Sequence, residues 1–372
     1  MRVLHLYAGN LFGGVETFLL TLGRERALSG MRPTFGLCFE GRLSQELRSV
    51  GADVQMLGAV RFSRPWSVWS ARKNLRRLLD AEKFDLAISH SAWAHAVFAT
   101  VVRETKLPLV YWAHGPANRH WSDRRANQTP PDLVIANSQH TLTTQGEQFC
   151  SCRRIVLPLA VSPPPKMDRQ STRAEVRREL QTPDSDLVIV CTSRMEAWKG
   201  HSLLLDAAAQ LMDIADWRIW IAGSAQRDSE MDYVHSLESQ VKRSGLSDRV
   251  QYLGQRSDVP RVLCAADIHC QPNVAPEPFG IAFVEALYAG LPVVTTDLGA
   301  AGEIVTESCG LLVAPEAAAL ADALRKVLND ANLRTRLGAA GPGRAADLCD
   351  PGIVLPMIEN ELRKLTASNP TV

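Results

Sequence analysis

The chain has 372 residues, 46% of them hydrophobic and 22% charged, with 41 Lys plus Arg against 40 Asp plus Glu. That length points to two domains, and that composition excludes a disordered, fibrous or disulfide-stapled chain. The near-zero balance is a cancellation: residues 1–165 hold 20 basic and 12 acidic side chains, residues 166–372 hold 21 and 28, so the halves stand at +8 and −7. Asymmetry of this kind can signal a different partner for each half.

Short apolar runs alternate with longer amphipathic segments from end to end. Strands are predicted over Val3–Tyr7, Thr34–Cys38, Val54–Leu57, Leu86–Ser89, Leu109–Trp112, Leu133–Asn137 and Arg154–Leu157, with helices over Glu16–Ser29, Leu43–Ser49, Val68–Leu79 and Ala94–Thr105 between them. Four prolines in Leu157–Pro165 remove donors and fix φ, which reads as a linker. The pattern then restarts. Strands follow over Asp186–Thr192, Arg218–Ala222, Val250–Leu253, Ile268–Gln271, Pro292–Thr295 and Gly310–Val313, with helices over Thr172–Leu180, Lys199–Ile214, Tyr233–Ser244, Ile281–Ala289 and Ala319–Asn329 and a closing segment Ile353–Leu365. Repeated strand–helix–strand units imply parallel sheets covered on both faces. The expected class is α/β, with two doubly wound Rossmann-like domains at 1–162 and 163–350 and a C-terminal helix, 351–372, returning to the first. In such a pair ligands sit at the carboxyl ends of the strands, in a central cleft.

Met1 runs straight into the first predicted strand without a signal-peptide pattern. The longest mainly apolar stretch, Ile281 to Val294, is broken by Glu285 and by Gly290-Leu291-Pro292, and is too short to span a bilayer. The eight cysteines are scattered; only Cys150 and Cys152 are close, which is weak evidence for zinc. The expectation is a cytoplasmic protein with reduced, mostly buried thiols and no metal site.

Four segments carry chemistry. In Pro276-Glu277-Pro278-Phe279-Gly280 followed by Ile281–Leu287, a loop enters a helix whose N-terminal amides and dipole suit a phosphate oxygen. Glu277 lies beside that anion site, and Glu285, eight positions on, can accept from sugar hydroxyls; taken alone, both also read as a capping acid and an ordinary helical glutamate. In Ser193–Gly200, Arg194 and Lys199 follow a predicted strand and can converge on one polyanion, although in isolation the segment reads rather as a solvated strand–helix loop. In Asn10–Glu16, Gly13 and Gly14 at a strand–helix turn allow close backbone approach to phosphate, although the pattern is not G-x-G-x-x-G. Trp112-Ala113-His114-Gly115 puts a histidine at a strand end. A D-x-D, Asp184-Ser185-Asp186, precedes a strand and so lies at its amino end; it reads as a turn with solvated carboxylates.

With these segments in this order, the chain resembles the family 4 retaining glycosyltransferases of the two-domain GT-B fold over essentially its whole length. The family's E-x7-E matches Glu277 to Glu285 through Pro278-Phe279-Gly280, its Arg and Lys-Gly pattern matches Arg194 and Lys199-Gly200, and Gly13-Gly14 and His114 match its glycine loop and histidine. Its G-G-x-P-E-I loop is altered here to Gly299-Ala300-Ala301-Gly302-Glu303-Ile304, and the usual Asn-Gly turn near position 160 is Leu159-Ala160-Val161. The resemblance implies that Arg194 and Lys199 bind the diphosphate of a nucleotide sugar, helped by amides near Phe279-Gly280 and Gly13-Gly14. It implies that Glu285 holds the ribose, that Glu277 and His114 reach the transferred sugar, and that Gly254 and its loop lie near the base. Catalytic roles fall on Glu277, His114, Arg194 and Lys199. The second domain would take the nucleotide sugar, UDP-linked in preference to GDP-linked, with no metal or other cofactor. Fixed cations and aligned N–H dipoles would then stabilise the leaving diphosphate. Retention implies a front-face path in which that phosphate helps deprotonate the acceptor, with Glu277 not a covalent nucleophile.

The first domain would take a hydroxyl acceptor in glycan, lipid or glycoside assembly. Arg61–Arg77 concentrates its charge: Arg61, Arg64, Arg72, Lys73, Arg76 and Arg77 with Trp66 and Trp69, and no acid. Such a segment suits an anionic or lipid-diphosphate acceptor, or weak peripheral contact with an anionic membrane; the plainer reading is a solvated helix face with the tryptophans packed on the domain. No motif accompanies it for nucleic acid. A sugar-nucleotide epimerase of the same fold and a catalytically silent sugar-nucleotide-binding protein are the competing readings.

Overall fold

A computed structural model describes residues 1–61, 63–117 and 120–368. The chain divides into two compact units, residues 1–162 with the chain from Cys349 onward, and residues 163–348.

The first unit is built on seven parallel strands: β1 (Arg2–Tyr7), β2 (Arg32–Leu37), β3 (Asp53–Met56), β4 (Leu86–His90), β5 (Leu109–Ala113), β6 (Leu133–Ala136) and β7 (Arg153–Val156), in the order β3-β2-β1-β4-β5-β6-β7. The second has six: β8 (Leu187–Thr192), β9 (Trp217–Ala222), β10 (Val250–Gly254), β11 (Ile268–Cys270), β12 (Val293–Thr296) and β13 (Gly310–Val313), in the order β10-β9-β8-β11-β12-β13. Register is continuous across each centre, with His5 opposite Ile88, His90 opposite Trp112 and Ile189 opposite Ile268. The central strands β4, β5, β6, β11 and β12 are buried at every position, whereas the edge strands β3, β7 and β13 are largely half-buried. Covered faces explain that gradient: solvent reaches the sheets mainly at their edges and strand ends. The thirteen strands match the sequence expectation with ends displaced by one or two residues.

The main departure lies between Asn329 and Ile353, where no element is predicted. A nineteen-residue helix, Ala331–Cys349, runs through Gly338, Gly341, Pro342 and Gly343. The glycines serve packing: a Cβ on Gly338 would lie 2.4 Å from the Gly290 carbonyl oxygen, and one on Gly341 would lie 2.7 Å from that of Leu287. The final helix, Pro351–Ser368, belongs to the first unit, where Glu359 accepts from the Gly30 amide at 2.7 Å and Glu361 pairs with Arg153 at 2.5 Å. The proline-rich stretch is pinned rather than loose. Leu157, Leu159, Ala160 and Val161 are buried, and the Val161 amide donates to Cys349 at 2.9 Å.

Six of the eight cysteines are buried. Among the described residues no helix is long and apolar enough to cross a membrane, and no group of three or more His, Cys, Asp or Glu side chains could hold a metal ion. In the D-x-D, Asp186 is not solvated: it is buried and hydrogen-bonds the Arg218 guanidinium at 2.5 Å, because strand β8 begins beside it.

Candidate functional site

In the second sheet the winding reverses between β8 and β11, and the loops after those strands leave from the point where α/β sheets bind ligands. Gly200 lets the two loops touch. It has φ +78°, and a Cβ there would stand 1.8 Å from the Pro272 carbonyl oxygen. The neighbouring Lys199 Nζ lies 2.8 Å from Glu277 Oε2 and 3.9 Å from the centre of the Trp198 ring. The same carboxylate oxygen accepts from Asn273 Nδ2 at 2.6 Å and Gln271 Nε2 at 3.3 Å. Thr295 and Thr296 fix this loop by donating to the carbonyls of Gln271 and Asn273. Gly299, at φ +72°, completes the frame: a Cβ would meet the Glu277 backbone at 2.4 Å. The altered G-G-x-P-E-I loop therefore keeps the one glycine its geometry requires. Glu277 is 6% exposed, so the charges around it interact in a poorly solvated setting.

Arg194 leaves the same β8 loop. Its guanidinium lies 2.6 Å from Glu230 and 3.3 Å from Glu196, while Glu230 also accepts the Gln226 amide at 2.6 Å. Burial pushes the Glu230 carboxyl up, but the Gln226 amide and Arg194 outweigh it and hold it below the ordinary range. Arg194 Nε is buried without a hydrogen-bond partner among the described residues, an unmet donor of the kind a ligand oxygen satisfies.

The β11 loop ends at Pro278-Phe279-Gly280, with Phe279 buried and Gly280 at φ +101° capping the helix Ile281–Tyr288. The Ile281 and Ala282 amides, in the first turn, have no acceptor within that helix. Half-buried Glu285, one turn further on, has its carboxyl pushed up to about 7 by burial. Gly254 ends β10 at φ +65° and accepts from the Gly223 amide at 2.8 Å. Arg194, Lys199, Glu277, the Gly280 helix start, Glu285 and Gly254 thus all follow the carboxyl end of one parallel sheet.

His114 and the glycine pair belong to the first unit, whose winding reverses between β1 and β4. Gly13 is extended, at φ −163°, and its amide donates to Glu16 at 2.9 Å. The Gly13 amide is therefore occupied by this chain's own carboxylate, which Tyr7 also binds. Gly14 is exposed and opens the helix Gly14–Arg24. His114 follows β5 and ends a string of three imidazoles: His5 Nδ1 lies 2.9 Å from His90 Nε2, and His90 Nδ1 lies 2.9 Å from His114 Nε2. Burial pushes all three well down, His5 and His114 to about 3.

The basic segment forms the helix Pro65–Ala81; Phe62 within it lies outside the described residues. Trp66 and Trp69 are 67% and 63% exposed, so they do not pack on the domain as the plainer reading expected. Trp69, Arg72 and Arg76 line a groove of about 500 Å³ with Trp121 and Arg125. Part of the charge is used internally: Arg72 donates to the Val97 and Ala96 carbonyls, and Arg76 pairs with Glu104 at 2.9 Å. Arg61, Arg64, Lys73 and Arg77 are exposed.

Sequence reasoning missed Gln271, Asn273 and Glu230, the partners that hold Glu277 and Arg194, and it missed His5 and His90. Gln271 and Asn273 had a signal, since Gln271 closes a predicted strand and Asn273 follows it in the loop at its carboxyl end. His90 had the same signal, following the predicted strand Leu86–Ser89, but its pairing with His5 had none, because only the β1-β4-β5 order brings their strands together.

Residues 172–344 match the family model described as "Glycosyl transferases group 1", and residues 12–161 match "Glycosyltransferase Family 4". The chain is 28% identical over 284 residues to the lipopolysaccharide core biosynthesis mannosyltransferase LpsB of Rhizobium meliloti, covering 74% of this chain and 72% of that one. It is 29% identical over 272 residues to a GDP-mannose-dependent monoacylated alpha-(1-6)-phosphatidylinositol monomannoside mannosyltransferase of Corynebacterium glutamicum, covering 69% and 68%. Among solved structures, Anabaena HepE in complex with UDP and glucose superposes with a TM-score of 0.85 at 27% identity, over 98% of this chain and all of that one. The same protein is also solved with UDP-glucose.

Proposed function

The chain belongs to glycosyltransferase family 4, and from that premise we propose that it transfers a hexose from a nucleoside-diphosphate sugar to an acceptor hydroxyl with retention of configuration. The observation that carries this reading is the assembly of Arg194, Lys199, Glu277, Glu285 and the Gly280 helix start at one switch point. That set suits an anionic diphosphate flanked by two hydroxyl-bearing sugars. Arg194 and Lys199, now paired with Glu230 and Glu277, would turn part of their charge to the diphosphate. The Ile281 and Ala282 amides would add dipoles, and Glu285 would accept from the ribose. As the anomeric carbon–phosphate-oxygen bond breaks and the acceptor oxygen bonds on the same face, these groups take up the growing charge. The departing phosphate oxygen takes the acceptor proton. Preorganised donors of this kind contribute about 10²–10³ each in rate. Glu277 is held by three donors on one oxygen, which suits a group that positions the sugar rather than one that attacks it. No metal ion enters this scheme.

A UDP-sugar donor is favoured by the full-length likeness to HepE, whose solved complexes contain UDP and UDP-glucose. GDP-mannose is the competing donor, suggested by the mannosyltransferase relatives. The acceptor falls to the first unit, where the exposed Trp66 and Trp69 beside Arg61, Arg64, Lys73 and Arg77 suit an anionic or lipid-linked molecule at an anionic membrane face. Product analysis by NMR tests the reaction: nucleoside diphosphate release with an anomer matching the donor supports it. An epimerised donor formed without acceptor would replace it with the epimerase reading, and binding with no turnover of any kind with the silent one.

A further inference from the structure

His90 is completely buried, and each of its ring nitrogens meets another imidazole nitrogen at 2.9 Å. A neutral imidazole has one N–H and one lone pair. His90 must therefore donate at one end of the string and accept at the other. Only two all-neutral arrangements exist. If His90 donates to His114 Nε2, then His114 carries its proton on Nδ1. If His90 donates to His5, then His114 donates from Nε2 and leaves Nδ1 as an acceptor. His114 Nδ1 is buried and has no hydrogen-bond partner among the described residues, so its polarity is set from behind.

The surroundings keep the string rigid. His5 stacks on Phe35 and on His90, and His90 stacks on Trp112 and His114. Phe18 packs against His90, Trp112 and His114. These rings carry no formal charge, and burial disfavours protonation at all three histidines.

We infer that His5 and His90 are positioning residues that lock His114 in one tautomer, so that its Nδ1 meets substrate as a neutral hydrogen-bonding group of fixed polarity. This rests on the proposal that His114 faces substrate. It gives the string a purpose beyond packing: a mobile tautomer would present the right atom only part of the time.

The test is long-range ¹H–¹⁵N NMR of the full-length protein labelled at histidine, which distinguishes N–H from bare ring nitrogen. His114→Phe assigns the His114 signals. The wild type is expected to show a single His114 tautomer. His5→Phe keeps an aromatic ring against Phe35 and does not touch His114. It is nonetheless expected to shift the His114 nitrogens toward a tautomer mixture and to lower kcat severalfold with KM little changed. His90→Asn, whose amide can stand in for Nδ1, should keep more activity than His90→Phe. A His114 spectrum identical in wild type and His5→Phe, with both folded by circular dichroism, overturns the inference. So does a mixed tautomer in the wild type. Neither result touches the transfer reading, because no substrate is present; loss of transfer activity altogether would in turn leave the spectra free to show the lock.

Discussion

The two sheets wind in the same order, apart from the extra edge strand β7 of the first, and their switch points hold opposite chemistry. In the second unit the switch point gathers charge: Lys199 on Glu277, Arg194 on Glu230, and Glu285 poised near neutrality by burial. In the first unit it gathers three imidazoles that burial keeps uncharged. Neither arrangement follows from net charge, since the cations that matter lie in the acidic half and the neutral string in the basic half. A doubly wound sheet supplies a place, and the strand-end residues decide whether it suits an anion or a neutral polar group.

The largest test of that contrast is Arg194→Ala. It removes a cation and leaves Glu230 with the Gln226 amide and the charge of Arg227, and kcat/KM for transfer should fall by about 10²–10³. Equal kcat/KM in the variant and the wild type would detach the charged site from the donor. Lys199→Met comes next. Rate should fall about 10²-fold, and stability by roughly 3 kcal/mol, the low end for removing one partner of a buried pair. Urea unfolding of Lys199→Met with Glu277→Gln should recover much of that stability and none of the rate. Recovery of the rate as well would reduce the pair to a structural strut.

Glu285 gives a pH signature of moderate size. Burial raises its pKa from the ordinary 4.5 to about 7, so the folded protein holds a proton that the unfolded chain releases. Its contribution to stability is complete below about 4.5 and is lost as pH rises through about 7. Glu285→Gln should therefore flatten the fall in Tm between those values, while nucleotide affinity of the wild type should strengthen as pH rises through about 7. Unchanged Tm profiles would show that the Glu285 carboxyl does not set this pH dependence. The smallest effect is expected from reversing charge at Arg61, Arg64, Lys73 and Arg77. Salt-sensitive binding to anionic vesicles should weaken, with donor binding unchanged; vesicle binding equal to wild type would acquit this helix.

The strands were legible because central parallel strands are nearly continuous apolar runs, and the charged site was legible because its residues cluster in three local segments. The helix Ala331–Cys349 was not. Gly338, Gly341 and Pro342 read locally as breakers, and only the approach of Gly290 and Leu287 shows why small residues stand there. The occupied Gly13 amide has a local signal, since a glutamate three residues after a helix cap, here Glu16, commonly folds back on the cap amide. The imidazole string required knowing that β1, β4 and β5 are neighbours.

The central claim is that the charged switch point binds a nucleoside diphosphate. A thermal-shift series with UDP, GDP, UDP-glucose and GDP-mannose on wild type and Arg194→Ala measures it directly. At about 100 times Kd a ligand stabilises the folded state by about 2.7 kcal/mol, so one base should raise the wild-type Tm clearly and the Arg194→Ala Tm far less. Equal shifts in both proteins, or none with any of the four, would contradict it.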